Sequence, residues 1–462
     1  MTELHFRSLS QVCRDLKSGA LSSVDVTRHM LARIERLEPR TRAFVTVLAE
    51  QALARAEALD AARARGEPLG ALHGVPVAIK DLLSTKGIRT TCGTLVLKDW
   101  VPDEDATVVV RLERAGAVIL GKLKLTEGAF SHHHPQVQPP LNPWDELLWT
   151  GVSSSGSGVA VAAGLCFAAL GSDTGGSIRF PSASCGIVGL KPTYGLVSRH
   201  GAFPLADSLD HIGPMTRTVE DAARVLEAIA GHDAKDPTSL RYPAPNFAAA
   251  LGGDVRGLRV GVDRGYASRG VAPEVTAAVL GAVAALGEQG ATVSDVTLPD
   301  CAALVRGWAI TCGVETALAH AATFPARRGE YGPHLAGLID LGRQVPALQY
   351  AALEREREKF RAALETLFES IDVLVAPALP SQTPTLEAVD QSLAQPEGTA
   401  DFLTFTAPFD YSGHPTITLP AGLSASGVPL AVQFIAALSG EARLIQAGCA
   451  WESVAGTRHP AL

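Results

Sequence analysis

The sequence predicts an α/β fold, a sheet with helices packed on it, and three observations carry that expectation. Between Gly70 and Arg217 short apolar runs alternate with helical patterns and Gly/Ser turns, the texture of strand–helix alternation. The 462 residues are 47% hydrophobic and 19% charged, enough to bury a large core and too apolar for a disordered chain. The Gly/Ser-rich centre is flanked on both sides by strand-like runs able to join one sheet, and no internal repeat divides the chain.

Taken in order, the first 65 residues read as helical. Ser22 and Asp25 make a capping-box-like start, with Asp in place of the usual Glu, and Val26, Met30, Ile34 and Leu37 then recur at helical spacing. A second helix runs through AEQALARAEALDAARAR and stops at Gly66, a residue suited to a left-handed exit. Strands are expected at 75–79, 117–120 and 168–170, with helices at 106–115 and 157–164 between them. Thr218 and Asp221 open another amphipathic helix, TVEDAARVLEAIAG, and the Pro-rich KDPTSLRYPAPNF reads as a surface crossover. LRVGVD then reads as a strand, VTAAVLGAVAALGEQG as a helix and ATVSDVTL as a strand. Residues 345–370 form a long helix with a charged face; IDVLVAPAL, PTITLPAG and PLAVQFIA are further strands, and EARLIQAGCAWESV closes the chain as a helix.

Composition excludes several function classes. Lys+Arg 40 against Asp+Glu 48 leaves a net charge of −8 with no basic run, so a nucleic-acid partner is not expected. The seven cysteines are scattered without C-x-x-C spacing, which reads as free thiols in a reducing compartment. The N-terminus breaks its apolar residues with charges, so no signal peptide is expected. The apolar part of the longest uncharged stretch, 158–171, falls short of the roughly 20 residues a bilayer requires. A soluble, cytoplasmic protein without a membrane partner is the expectation.

Common site types fail on particular residues. Gly151 and Gly156 have the glycine spacing of a phosphate-binding loop, but Ser157 stands where its lysine is required. His132, His133 and His134 are contiguous and cannot easily converge on one ion, and there is neither H-E-x-x-H nor G-x-S-x-G. No cofactor and no metal are expected.

What remains is TGVSSSGSG at 150–158, GSDTGGSIRFPS at 171–182, and Lys80 at the end of the apolar run VPVAI. A flexible linker would not be embedded between apolar strands. A lysine desolvated after such a run has its pKa pushed down, because burial disfavours the charged form, and a neutral amine is a base at pH 7.

These segments resemble the amidase signature family. The block 151–182 is similar to its Gly/Ser-rich signature and HGVPVAIKD to its lysine strand. LTEGAF, LNPWD and CGIVGLKPTYGLVSRHGAFPLADSLDHIGPMTRTVEDAA are similar to flanking segments, and the likeness covers nearly the whole chain. It implies a central mixed β-sheet flanked by helices on both faces. It also implies a single domain over 1–462, with a helical segment at 1–66, a signature core at 70–217 and the remaining sheet and pocket segments at 218–462.

Carried over by residue, the resemblance implies a triad of Ser177 as nucleophile, Ser153 as bridging serine after a cis peptide bond, and Lys80 as base. Ser154 and Ser155 stand close enough to compete for the bridging role. The backbone N–H groups of Thr174, Gly175, Gly176 and Ser177 would form the oxyanion hole, with Asp173 and Arg179 as supports of the loop. The implied chemistry is acyl transfer to Ser177 followed by hydrolysis of the acyl-enzyme. The chain departs from the family where Val152 and Ser155 replace glycines, where Leu82 replaces a common Asn, and in SHHHPQVQPP. That segment makes His132, His133 and His134 candidate pocket residues. Trp308, Phe402, Phe405, Phe409 and Tyr411 are equally readable as pocket or core.

The function expected is hydrolysis of small-molecule amides, anilides or carbamates. The alternative is the amidase component of a glutamine-dependent tRNA amidotransferase. The family resemblance suggests a homodimer; the residues leave assembly open.

Overall fold

The structure, a computed structural model, describes residues 3–241, 246–393, 395 and 398–462. Within them eleven strands, β1 Phe44–Val47, β2 Pro76–Lys80, β3 Val118–Leu123, β4 Ala168–Asp173, β5 Val188–Lys191, β6 His211–Thr216, β7 Arg259–Val262, β8 Thr292–Asp295, β9 Val373–Pro377, β10 Thr416–Leu423 and β11 Pro429–Ala436, form one sheet. Its order is β1-β3-β2-β4-β6-β5-β10-β11-β9-β7-β8. β2 runs parallel to both β3 and β4, and β7 parallel to β8 and β9, while the six other pairings are antiparallel. The sheet is therefore mixed, with flanking helices.

β2, β4 and β9 are buried at every position, which is why they read as continuous apolar runs and not as alternating ones. One apolar cluster extends from Leu9 to Trp451. A smaller one gathers Val96, Phe324, Tyr331, Leu335, Ala336 and Ile339.

The N-terminal segment is not wholly helical. Between helices Ser23–Thr41 and Ala49–Ala64 lies β1, antiparallel to β3. The first helix ends where Arg42 takes a φ of +50°, and Glu38 accepts the N–H groups of Ala43 (3.1 Å) and Phe44 (3.0 Å), turning the chain onto the sheet. Four residues between two strong helical patterns leave little periodicity to read. β5, β6 and the helices Ala302–Ala319 and Pro333–Gly342 were likewise not expected from the sequence. Ser22 does cap its helix, accepting the Asp25 N–H at 3.0 Å, and Thr218 does the same for Asp221 at 3.2 Å. Of the expected crossover KDPTSLRYPAPNF, residues 242–245 lie outside the described residues.

Three features place the site. β2 and β4 are parallel neighbours, so Lys80 and Asp173, the last residue of each, finish at the same edge of the sheet. The helix expected from 157 begins two residues earlier, as Ser155–Ala162, so Ser153 and Ser154 stand immediately before its first turn. Ser177 lies in the turn between β4 and the helix Arg179–Cys185.

Candidate active site

Lys80 is wholly buried, and its Nζ lies 2.7 Å from Ser153 Oγ, 2.8 Å from Ser172 Oγ and 2.9 Å from Ser154 Oγ. Burial pushes its pKa down to about 7, against the opposing pull of the Asp173 and Asp210 carboxylates. A neutral amine has two N–H donors and one lone pair, so one of the three hydroxyls must donate to it. Ser154 is not free to do so. Its Oγ donates to the Ser172 carbonyl (3.1 Å) and accepts the Ser172 N–H (3.2 Å). Ser153 Oγ has no other protein partner among the described residues, and the peptide bond before it is cis.

Ser177 lies on a cavity wall and is 8% exposed. The two serine loops are joined by the Ser154 N–H, which donates to the Ser177 carbonyl at 3.3 Å. Among the described residues no hydrogen bond links Ser177 Oγ to Ser153 Oγ. The structure thus brings Lys80 and Ser153 into contact, with Ser177 joined to them through the Ser154 backbone.

The four proposed oxyanion amides are not equivalent. Gly176 N–H donates to Asp173 Oδ1 at 2.6 Å, so it is already committed. The N–H groups of Thr174, Gly175 and Ser177 have no protein acceptor among the described residues, and Gly175 and Ser177 face the cavity. A Cβ on Gly175 would lie 2.8 Å from the Trp308 indole, and Gly176 combines a φ of +136° with the Phe180 ring against its open side.

Asp173 and Arg179 fix this turn from beneath. Asp173 Oδ2 accepts the N–H of Ile178 at 2.9 Å and the Arg179 Nε at 3.0 Å. Arg179, wholly buried, also reaches Asp410 Oδ2 (2.5 Å), the Thr406 carbonyl (2.8 Å) and Gln433 Oε1 (3.1 Å). Burial alone would raise the Asp173 carboxyl, but the guanidinium beside it holds it well below the usual carboxylate range. Burial pushes Asp410 well up despite the same guanidinium. Asp210 accepts the Thr174 hydroxyl at 2.5 Å and the Leu205 N–H at 2.9 Å; burial pushes it up to about 6.

Above Ser177 opens a cavity of about 390 Å³. Phe130, Trp149, Phe180, Trp308 and Phe402 line it, together with Val152, His132, His334 and Asp390. Trp308 Nε1 donates to the Thr174 carbonyl at 3.0 Å, which ties one wall to the turn that follows β4.

One expectation about the pocket needs correction. Of the three histidines only His132 lines the cavity. His133 is packed against the serine helix with Nε2 3.2 Å from Ser155 Oγ, and buried His134 accepts the Gln136 N–H at 3.1 Å, because consecutive residues of a turn point in different directions. Among the candidate aromatics, Trp308 and Phe402 line the cavity, whereas Phe405, Phe409 and Tyr411 are core. Sequence reasoning also missed Ser172, Asp210, Asp410, His334 and Asp390. Ser172 carried a signal, since it lies inside GSDTGGS on the strand that neighbours Lys80; the others have no local pattern that marks them.

Comparison with known proteins places the chain in a family. The family model described as Amidase matches residues 25–445. A Mycobacterium tuberculosis protein named "Putative amidase AmiD" is 47% identical over 448 residues, covering 97% of this chain and 94% of that one. A glutamyl-tRNA(Gln) amidotransferase subunit from Moorella thermoacetica is 41% identical over 476 residues, covering 97% of each. The structure of 6-aminohexanoate cyclic dimer hydrolase complexed with substrate superposes with a TM-score of 0.90 at 28% identity, covering 99% of both chains. With the family model spanning most of the chain and the fold shared from end to end, this chain belongs to the amidase family and is an enzyme that hydrolyses amide bonds.

Proposed function

We propose that the protein is a free-standing hydrolase of small-molecule amides, anilides among them and carbamates as well, working through Ser177, Ser153 and Lys80. The observation that carries this reading is the contact of a wholly buried lysine with Ser153 at 2.7 Å. With its pKa lowered to about 7, Lys80 is available as a neutral base near neutral pH. Rotation of the Ser177 side chain toward Ser153 closes the relay. Lys80 takes the Ser153 proton as Ser153 takes that of Ser177, and Ser177 Oγ attacks the carbonyl carbon. The oxyanion that forms is met by the free N–H groups of Thr174, Gly175 and Ser177. The proton returns along the relay to the leaving nitrogen, the carbon–nitrogen bond breaks, and water activated by the same relay releases the acid.

The amidotransferase reading is supported by the 41% relative, but the cavity argues against glutamine as substrate. Among the described residues no Lys or Arg lines it, so the α-carboxylate of glutamine would be desolvated without a cationic partner. The 47% relative named as an amidase favours the hydrolase. The proposal includes one domain over 1–462, supported by the single sheet that β1 and β11 share, and a cytoplasmic location, supported by seven free cysteines.

Aniline release from a panel of acyl-anilides and aryl carbamates tests it, with Ser177→Ala and Lys80→Ala beside wild type. Turnover lost in both variants supports the triad. Turnover surviving in Ser177→Ala removes it, and a folded wild type inert toward the panel favours the partner-dependent reading.

A further inference from the structure

The cavity's polar lining grades from buried to exposed. Ser177 is buried, Ser131 and His132 are half-buried, and His334 and Asp390 are exposed, which puts the latter two toward solvent. The His132 and His334 rings stack with centroids 3.6 Å apart and planes 7° from parallel, and His132 Nε2 lies 3.5 Å from Asp390 Oδ1. Among the described residues Asp390 is the one acidic side chain that lines the cavity, and neither Lys nor Arg does. Its own side chain is 70% exposed, as expected at an opening to solvent.

We propose that this cavity reads the charge at the end of the substrate remote from the scissile bond. It accepts amides with an apolar body and an uncharged or cationic far end and rejects those ending in a carboxylate, with Asp390, His132 and His334 as the specificity-determining residues. The proposal rests on Ser177 being the nucleophile. A volume of about 390 Å³, lined by the stacked pair Trp308 and Phe130 and by the tilted pair Trp149 and Phe402, holds a small aromatic or branched body. Aromatic faces attract a cation and repel an anion. A carboxylate passing these walls loses water without meeting a cationic donor, and at the mouth it meets Asp390. A quaternary ammonium meets π faces along the walls and a carboxylate at the opening. The stacked imidazoles offer ring edges to a neutral polar end and hold Asp390 beside the opening through His132.

The test uses three matched acyl-anilides that differ only at the remote end: methyl, trimethylammonium and carboxylate. Values of kcat/KM are measured at pH 8, above the ordinary imidazole range, with and without 0.5 M NaCl. Wild type is expected to favour the ammonium over the carboxylate by at least ~5-fold at low salt. Asp390→Asn is expected to shrink that ratio by ~3-fold, and salt to compress it in wild type more than in the variant. A wild-type ratio of one or below overturns the proposal while leaving the hydrolase intact. A preference that Asp390→Asn and salt both leave unchanged overturns the role of the mouth residues. If folded wild type cleaves none of the three while Ser177 also resists labelling by a reactive aryl carbamate, the hydrolase reading falls and the proposal with it; labelling without turnover overturns the proposal alone.

Discussion

Lys80 Nζ and Ser153 Oγ meet at 2.7 Å with both residues wholly buried. Burial is what makes the contact chemically useful, since it brings the lysine down to about 7. The base works deprotonated, so kcat/KM for a neutral anilide is expected to rise about tenfold per pH unit below pH 7 and to level off above it. Lys80→Ala is expected to lose ~10²–10⁴ of the rate together with that ionisation. A wild-type profile flat from pH 5.5 to 9 would remove Lys80 from the role.

Ser177, Ser153 and Ser154 have separable consequences. Ser177→Ala removes the nucleophile, so the rate should fall by ~10³ or more and no acyl adduct should appear by intact-mass spectrometry with a slow carbamate. Ser153→Ala breaks the relay and should approach the same loss. Ser154 binds the Ser172 backbone in both directions, so Ser154→Ala is expected to cost about 1–3 kcal/mol of stability and less activity than either. An inactive Ser154→Ala beside an active Ser153→Ala would transfer the bridging role to Ser154.

Arg179 faces two buried carboxylates, Asp173 at 2.8 Å and Asp410 at 2.5 Å. Arg179→Met would remove the guanidinium that holds Asp173 ionised, and about 3–5 kcal/mol of stability should be lost in urea unfolding. Because Asp173 holds the Gly176 and Ile178 amides, activity in the surviving folded fraction should fall as well. A loss under about 1 kcal/mol would contradict this account of the turn.

Glu127, buried beside the site, accepts the Gly332 N–H at 3.0 Å, and burial pushes it up to about 7. A carboxyl raised in the fold binds more protons there than in the unfolded chain. Its contribution is complete below the ordinary value near 4.3 and is lost as pH rises through about 7. Glu127→Gln keeps an acceptor for Gly332 but cannot ionise. Between pH 4.5 and 7.5 wild type should therefore lose about 1–3 kcal/mol more than the variant in paired urea titrations. Parallel losses in the two proteins would show that Glu127 ionises as freely folded as unfolded.

His133 and Ser155 lie 22 positions apart in the sequence and meet at 3.2 Å. His133→Phe should leave the Ser155 hydroxyl buried without that partner and destabilise by about 1–3 kcal/mol, and adding Ser155→Gly should recover part of the loss. Strictly additive losses in the double variant would mean the two residues do not act as a pair.

Several parts of this protein were legible along the chain because the forces behind them are local. The run VPVAI announced a buried strand and hence a desolvated Lys80, since apolar side chains on both faces of a strand leave only the core as a destination. The Gly/Ser segments kept Ser153, Thr174, Gly175 and Ser177 within two short stretches whose order survives folding. Tertiary structure alone decided the rest. Apart from Asp173, the partners of Arg179 lie 227, 231 and 254 positions away, at Thr406, Asp410 and Gln433, so no window of sequence could pair them. It also separated His132 from His133 and His134 and brought His334 and Asp390 to the cavity. A hydrogen bond or a shared wall depends on which strands the sheet order makes neighbours, and that order is set by long-range burial that local periodicity does not encode.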